Sequence, residues 1–363
     1  MIGLTPKTKR NISRIIPFGV IWVLCGWVTI ISEIGLTRNV NPNPDTDISF
    51  TIPVLIFANI ANLMVGLLVG ALEAVYLEKR FAFHTLRAKI FYKFIIYLIL
   101  FLFIIVVLYP VAFSLDTGAG MLDVETWNQL GRFLNSVSFA TTLFQLSVPL
   151  FVCLIYAAVS ENLGHHVFLN FFTGKYHKPV VEERIFMFLD MKSSTTIAES
   201  LGHVKYFNLL RDYYDLMSDP IIDTLGEVYQ YIGDEIVVSW DLDKGIQNTN
   251  CIRCFFDIRD SLSANQKKLQ SKYGHEIDFK AGIHFGEVTI GEIGALKKEI
   301  AFTGDVLNTT ARIQGLCNQY GTSLLISSKL KDILPQGRYI FENKGNISLK
   351  GRVKTEELYS VSR

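Results

Sequence analysis

The chain has 363 residues, half of them hydrophobic and only 19% charged, with a net charge of +1 at neutral pH. Ordinary soluble domains carry about a quarter charged residues, so the composition argues for a part that lies in lipid, and the length leaves room for roughly two domain-sized units. The 35 basic residues balance 34 acidic ones, with neither a basic tract for nucleic acid nor an acidic tail, so no nucleic-acid partner is expected.

Four uncharged stretches come first: Ile15–Ser32, Ile48–Leu72, Phe94–Leu115 and Phe133–Ser160. Each reaches the roughly 18–20 residues that a helix needs to cross a hydrocarbon core. The first is too long, and too poorly followed by a small-residue cleavage site, for a signal peptide. Lys7, Lys9, Arg10 and Arg14 precede the first stretch, and Lys79, Arg80, Arg87, Lys89 and Lys93 fill the second connection. The other two loops hold Arg38 and Arg132 among Asp45, Asp47, Asp116, Asp123 and Glu125. The positive-inside rule then predicts a multi-pass integral membrane protein with both termini cytoplasmic, expected in a bacterial inner membrane. In the second stretch Ala58, Gly66 and Gly70 recur at helical spacing beside Asn59 and Asn62. Small residues so spaced let helices approach closely, and they fit a dimer seam or packing within one bundle equally well.

Residues 161–183 form an amphipathic connector broken by Gly174 and Pro179. Its adjacent histidines, His165 and His166, cannot both face one ligand. Past it, strands and helices alternate. Ile185–Met191 is an apolar run ending beside an acid, as a buried strand would. Ser193–Thr195 offer N-caps to a helix running through Met217. Glu227–Ile232 and Glu235–Trp240 read as a hairpin around Gly233-Asp234, and Ile246–Lys272 as a helix. Asp278–His284 and Glu287–Ile293 read as a second hairpin around Phe285-Gly286. Val306–Tyr320 reads as a helix, with closing strands near Leu324–Ile326, Arg338–Phe341 and Leu349–Val361. The expected organisation is an α-helical membrane domain (1–160), a connector (161–183) and an α+β domain (184–363) with helices against a mostly antiparallel sheet. The five cysteines are scattered, and Cys251 and Cys254 form a lone C-x-x-C in a helical pattern, so they read as packing residues.

The candidate chemistry centres on Asp190 and Asp234, two acids at strand edges. Two carboxylates converging there can hold two magnesium ions, which activate an attacking hydroxyl and a leaving phosphate. The helix start at Ser193, Ser194 and Thr195 presents free N–H groups suited to phosphate. Glu235 is expected on the opposite, solvated face of its strand. His284 and the Phe207–Tyr214 aromatics read as packing residues.

This combination resembles the class III adenylate/guanylate cyclase family over Arg184–Arg363. FLDMKSST (Phe188–Thr195) is similar to the family's first metal-aspartate motif, and GEVYQYIGDEIVVSW (Gly226–Trp240) to the hairpin carrying the second. GIHFGEVTIGEIG (Gly282–Gly294) is similar to its glycine-spaced hairpin, and TGDVLNTTARI (Thr303–Ile313) to its G-x-x-x-N-x-x-x-R helix. The resemblance implies a membrane-bound adenylate cyclase converting ATP to cyclic AMP and pyrophosphate. It implies that Asp190 and Asp234, aided by the Met191 carbonyl, bind two Mg²⁺ or Mn²⁺ ions per site. It implies that Asn308 orients the ribose, that Arg312 steadies the α-phosphate charge, and that Lys350 meets the triphosphate. It also implies a homodimer with shared sites, metals held by one chain and Asn308 and Arg312 supplied by the other. Two positions depart from the family's base-selecting pattern: Gln230 replaces a lysine or glutamate, and Ala301 an aspartate, threonine or cysteine. A neutral amide in place of the adenine-type lysine favours ATP, with GTP or dual specificity as the alternative. A membrane sensor with a silent cyclase-like domain and a diguanylate cyclase are the rivals. The intact Asp190, Asp234, Asn308 and Arg312 argue against the first, and the Asn308/Arg312 helix against the second.

Overall fold

The computed structural model of the chain describes residues 5–37, 51–81, 85–296, 298–335, 337–348 and 355–363. The chain divides into two compact units, one of Thr8–Leu169 and one built on Asn170–Arg363.

The first unit is helical: α1 (Pro6–Thr37), α2 (Ile52–Ala71) with a π-helical turn (Leu72–Leu77), α3 (Glu78–Phe81), α4 (Leu86–Thr117), α5 (Val124–Leu134) and α6 (Val137–Leu163). Four of these segments, Pro6–Ser32, Ile52–Leu77, Arg87–Thr117 and Val137–Leu163, are long and apolar enough to cross a membrane. The fourth begins later than the apolar run at Phe133 implied. Asn135 leaves the helix and the Ser136 hydroxyl caps α6 by accepting the Phe139 N–H at 3.3 Å. The residues before the break form α5, a separate amphipathic helix that packs Leu130 and Phe133 on Ile105 and Tyr109 of α4.

The small-residue row of α2 serves packing within the chain. A Cβ on Gly66 would lie 2.8 Å from the Gly19 Cα and the Phe18 carbonyl, and one on Gly70 would lie 2.9 Å from the Phe18 ring. Only glycine lets α1 approach this closely, which seats Phe18 and Trp22 against Val65 and Val69. Glu73, Lys93, Arg14 and Glu78 are paired rather than bare, as an apolar surround demands. Glu73 is buried in an ion pair with Lys93 and accepts the Tyr97 hydroxyl at 2.7 Å. Arg14 pairs with Glu78 at 2.5 Å.

Helix α7 (His165–Thr173) crosses the boundary at Leu169, and the second unit then runs β1 (Val180–Met191), α8 (Ser194–Asp223), β2 (Glu227–Ile232), β3 (Glu235–Asp241), α9 (Leu242–Ile246), α10 (Asn250–Tyr273), β4 (Phe279–Ile293), β5 (Glu299–Thr303), α11 (Asp305–Gly315), β6 (Leu324–Ser327), α12 (Ser328–Lys331), β7 (Ile340–Ser348) and β8 (Thr355–Ser362). One eight-stranded sheet has the order β2-β3-β1-β4-β6-β8-β7, with β5 on β4. Every pairing is antiparallel except β4 with β6, so the sheet is mixed.

Alternation along β1 explains the layering. Ile185, Met187 and Leu189 face the core under α8 and α10, whereas Phe186 and Phe188 face a second cluster with Val306 of α11. Cys251 and Cys254 are fully buried in the first core, where burial pushes both thiols up to about 12. They are packing residues, as expected.

The expected hairpin at Phe285-Gly286 does not form. β4 is one 15-residue strand, with Phe285 opposite Ile185 and Gly286 opposite Arg184 in the ladder with β1. Glycine there reads as a turn, but uninterrupted pairing with a long neighbour keeps the chain extended. The turn comes later and leads to β5, which hydrophobic alternation alone does not reveal.

Arg184, 3% exposed, organises the end of the sheet away from Asp190. It pairs with Glu182 at 3.1 Å, Asp241 at 2.7 Å and Glu227 at 3.5 Å. Burial alone would raise the carboxyls of Glu182 and Asp241. Hydrogen bonds from Lys175 and Arg184 to the one, and from Lys244 to the other with the Arg184 charge nearby, outweigh it and lower both. Both are therefore lower folded than unfolded, so their stabilisation is present above the ordinary carboxylate range and is lost as pH falls through their folded values. Melting temperature is expected to drop with acid over that window, and Arg184→Met to flatten the drop in a calorimetric pH series.

In the helical unit, Gly66→Leu should cost about 1–3 kcal/mol or more by overpacking. Gly131, whose Cβ would meet nothing within 4 Å, provides the control. Thermal unfolding of the full chain in detergent should separate Gly66→Leu from Gly131→Leu, and equal melting temperatures would contradict the close α1–α2 contact.

Candidate active site

Asp190 lies at the end of β1, opposite Lys280 of β4, and Asp234 lies in the turn between β2 and β3. The β1–β3 ladder reaches Leu189 opposite Ile236, which brings the two acids to the same sheet edge. The Tyr214 hydroxyl of α8 fixes the turn by donating to the Gly233 carbonyl at 2.8 Å.

The two carboxylates press on each other. Asp190 is raised, first by burial and then by hydrogen bonding to Asp234 and by its charge. Lys280, 3.5 Å from Asp190, and Gln314, whose amide donates to the Asp190 carboxylate at 3.1 Å, oppose that rise. The Asp234 Oδ2 is buried without a hydrogen-bond partner among the described residues. A buried, unpaired carboxylate oxygen beside a second carboxylate is costly unless positive charge arrives. The donor set, two carboxylates with the Met191 carbonyl next in sequence, has the hard-oxygen chemistry that divalent Mg²⁺ or Mn²⁺ takes.

Glu235 differs from its expected solvated place. It is half-buried, and burial together with the Asp190 and Asp234 charges pushes its carboxyl up to about 7. Ser193 also differs: its φ of 57° is left-handed and its side chain makes no capping bond. Its carbonyl instead accepts the Ile197 N–H at 3.1 Å, opening α8 at Ser194 and Thr195. The helix then kinks at Gly202 and runs past Met217 to Asp223. Phe207 is exposed rather than packed, while Tyr213 is fully buried.

Helix α11 carries Asn308 and Arg312. It sits tightly on β4, since a Cβ on Gly282 would lie 2.4 Å from the Gln314 N. That contact delivers Gln314 to Asp190. At about 100° per residue, Arg312 lies roughly 200° around the helix from Gln314, and Asn308 roughly 240°. The pair shares a face, and that face points away from its own Asp190. Neither side chain bonds another described residue.

Gln230 is exposed on β2, opposite Val237, and Ala301 lies on β5 opposite Gly291. Lys350 lies outside the described residues. Sequence reasoning missed Lys280 and Gln314: only the strand register and the packing of α11 place them beside Asp190.

Residues 177–362 match the adenylate and guanylate cyclase catalytic domain family. Adenylate cyclase 2 of Rhizobium meliloti (strain 1021) is 38% identical over 195 residues, which are 53% of this chain and 54% of that protein. Adenylate cyclase 1 of the same organism is 28% identical over 185 residues, 48% of this chain and 27% of that protein. The matches thus span about half the length of these curated relatives, or less. A solved structure of a bacterial light-regulated adenylyl cyclase superposes with a TM-score of 0.54 at 23% identity, covering 63% of this chain and 67% of that one, which shows the fold. Through residues 177–362, just over half its length, the chain belongs to the adenylate and guanylate cyclase catalytic domain family.

Proposed function

We propose that the chain is a membrane-bound adenylate cyclase that acts as a homodimer with shared active sites, converting ATP to cyclic AMP and pyrophosphate. The observation that carries the shared site is the orientation of α11, which turns Gln314 toward Asp190 and Asn308 and Arg312 away from it. A single chain holds both halves of the machinery, and a second copy supplies the missing half to each. Exposed Val204 and Phe207 of α8, and Tyr231 and Ile232 of β2, give the domain apolar surface that a second copy can cover. The exposed apolar side chains of the four long helices, such as Val28, Ile60, Phe103 and Phe151, fit lipid.

Asp190, Asp234 and the Met191 carbonyl would hold two Mg²⁺ or Mn²⁺ ions, which supply charge that acidifies the attacking ribose 3′-hydroxyl and offsets the leaving pyrophosphate in an in-line displacement. Arg312 donates to the α-phosphate oxygens where charge grows, and Asn308 orients the ribose. The N–H groups opening α8 at Ser193, Ser194 and Thr195 face phosphate, and Lys280 adds a fixed positive charge at the same edge. Lys350 meets the triphosphate tail. The adenine preference rests on Gln230, with Ala301 contributing no polar group; the Rhizobium relatives named as adenylate cyclases support it.

Asp234→Asn removes one of two crowded carboxylates. It is expected to melt a few degrees above wild type in chelator and to lose the stabilisation that Mn²⁺ gives wild type. An unchanged melting temperature in chelator, together with full Mn²⁺ stabilisation, would contradict the cation role.

Mixing Asp190→Ala chains with Arg312→Ala chains tests the shared site. Random pairing makes about half of all dimers heterodimers, each with one intact site, so cyclic nucleotide formation should approach roughly a quarter of wild type. A mixture shown to exchange subunits yet as inactive as its parents would reject the shared-site mechanism.

A further inference from the structure

Strand β2 breaks register at one place. Val228 pairs with Val238, but Gln230 pairs with Val237, so Tyr229 is the extra residue of a β-bulge. Directly opposed residues share a sheet face. Val238 belongs to the core under α8 and α10, whereas Val237 belongs to the cluster with α11. Strict alternation would return Gln230 to the face of Val228. The bulge instead turns two consecutive residues, Tyr229 and Gln230, to the α11 face.

Tyr229 is tied there. Its ring lies 4.6 Å from that of Phe302, and its hydroxyl accepts the Phe302 backbone N–H at 3.3 Å. Phe302 belongs to β5, which pairs with β4 and reaches Tyr229 from 73 positions away. Its ring is also held by Phe186 at 5.6 Å and lies under the Arg184 guanidinium at 5.2 Å. One tyrosine therefore joins Gln230 to the Ala301–Phe302 segment.

We propose that Tyr229 is a positioning residue for base selection. By filling the bulge and anchoring Phe302 it holds the Gln230 amide in one orientation. A glutamine amide carries both donor and acceptor. It discriminates adenine from guanine only while it cannot swing to present either edge. The inference rests on the base-facing reading of positions 230 and 301.

The test measures kcat and KM for ATP and for GTP on the full chain and on Tyr229→Phe and Gln230→Ala. Tyr229→Phe keeps the ring and removes the acceptor. The ratio of kcat/KM between the two nucleotides should move toward unity by about three- to tenfold, the scale of one lost hydrogen bond, and the change should fall on KM. Gln230→Ala should move the ratio at least as far. A Tyr229→Phe enzyme with an unchanged ratio, or with equal losses on both nucleotides, would overturn the positioning role while a shifted Gln230→Ala ratio left the base-facing reading standing. An unchanged ratio in Gln230→Ala would overturn that reading, and the role of Tyr229 with it.

Discussion

Two carboxylates held side by side at a sheet edge, one with a buried oxygen that no described residue satisfies, are the constraint on which the second unit depends. Burial first, and then the hydrogen bond and the charge of Asp234, raise Asp190 even though Lys280 and Gln314 both oppose the rise. Such a pair is tolerated because the surrounding sheet over-determines it: β1 pairs with β4 along its whole length and with β3 from Arg184 to Leu189, and Tyr214 pins the turn. Crowded carboxylates of this sort cluster at functional sites, and two acids with an oxygen that no described residue satisfies are a donor set that would suit a divalent cation.

The same sheet separates structure from recognition. One face buries a large apolar core under α8 and α10, including Trp240, Phe255 and Phe279. The other carries α11, the bulge at Tyr229 and β5, and Asn308, Arg312, Gln230 and Ala301, the positions proposed to meet ribose, α-phosphate or base, lie on these elements. Helix α11 does two jobs through its two sides. Val306 and Ile313 are buried and Gln314 braces Asp190, while Asn308 and Arg312 point away from that contact.

Much of this was legible in the sequence because it is local. An apolar run ending in an acid, a Gly-Asp turn between alternating strands, and an asparagine and arginine four apart on a helix each follow from short-range periodicity. The features that escaped depend on pairing. Lys280 is beside Asp190 only because β4 runs antiparallel to β1 in one register, and Gln314 only because Gly282 lets α11 settle on the strand. Gly286 looked like a turn and is a ladder residue. Alternation puts Glu235 on a solvated face, yet partial burial and then the two neighbouring acids lift its carboxyl to about 7. The small residues of α2 fitted two packings, and the close approach to Phe18 and Gly19 selects the one within the chain.

The most direct test of the whole account is chemical. The purified full chain, reconstituted in liposomes with Mn²⁺, is incubated with α-labelled ATP or GTP and the products are separated by chromatography. The account predicts 3′,5′-cyclic AMP and one equivalent of pyrophosphate from ATP, with slower conversion of GTP. Absence of any cyclic mononucleotide from either triphosphate, or formation of a cyclic dinucleotide from GTP, would contradict it.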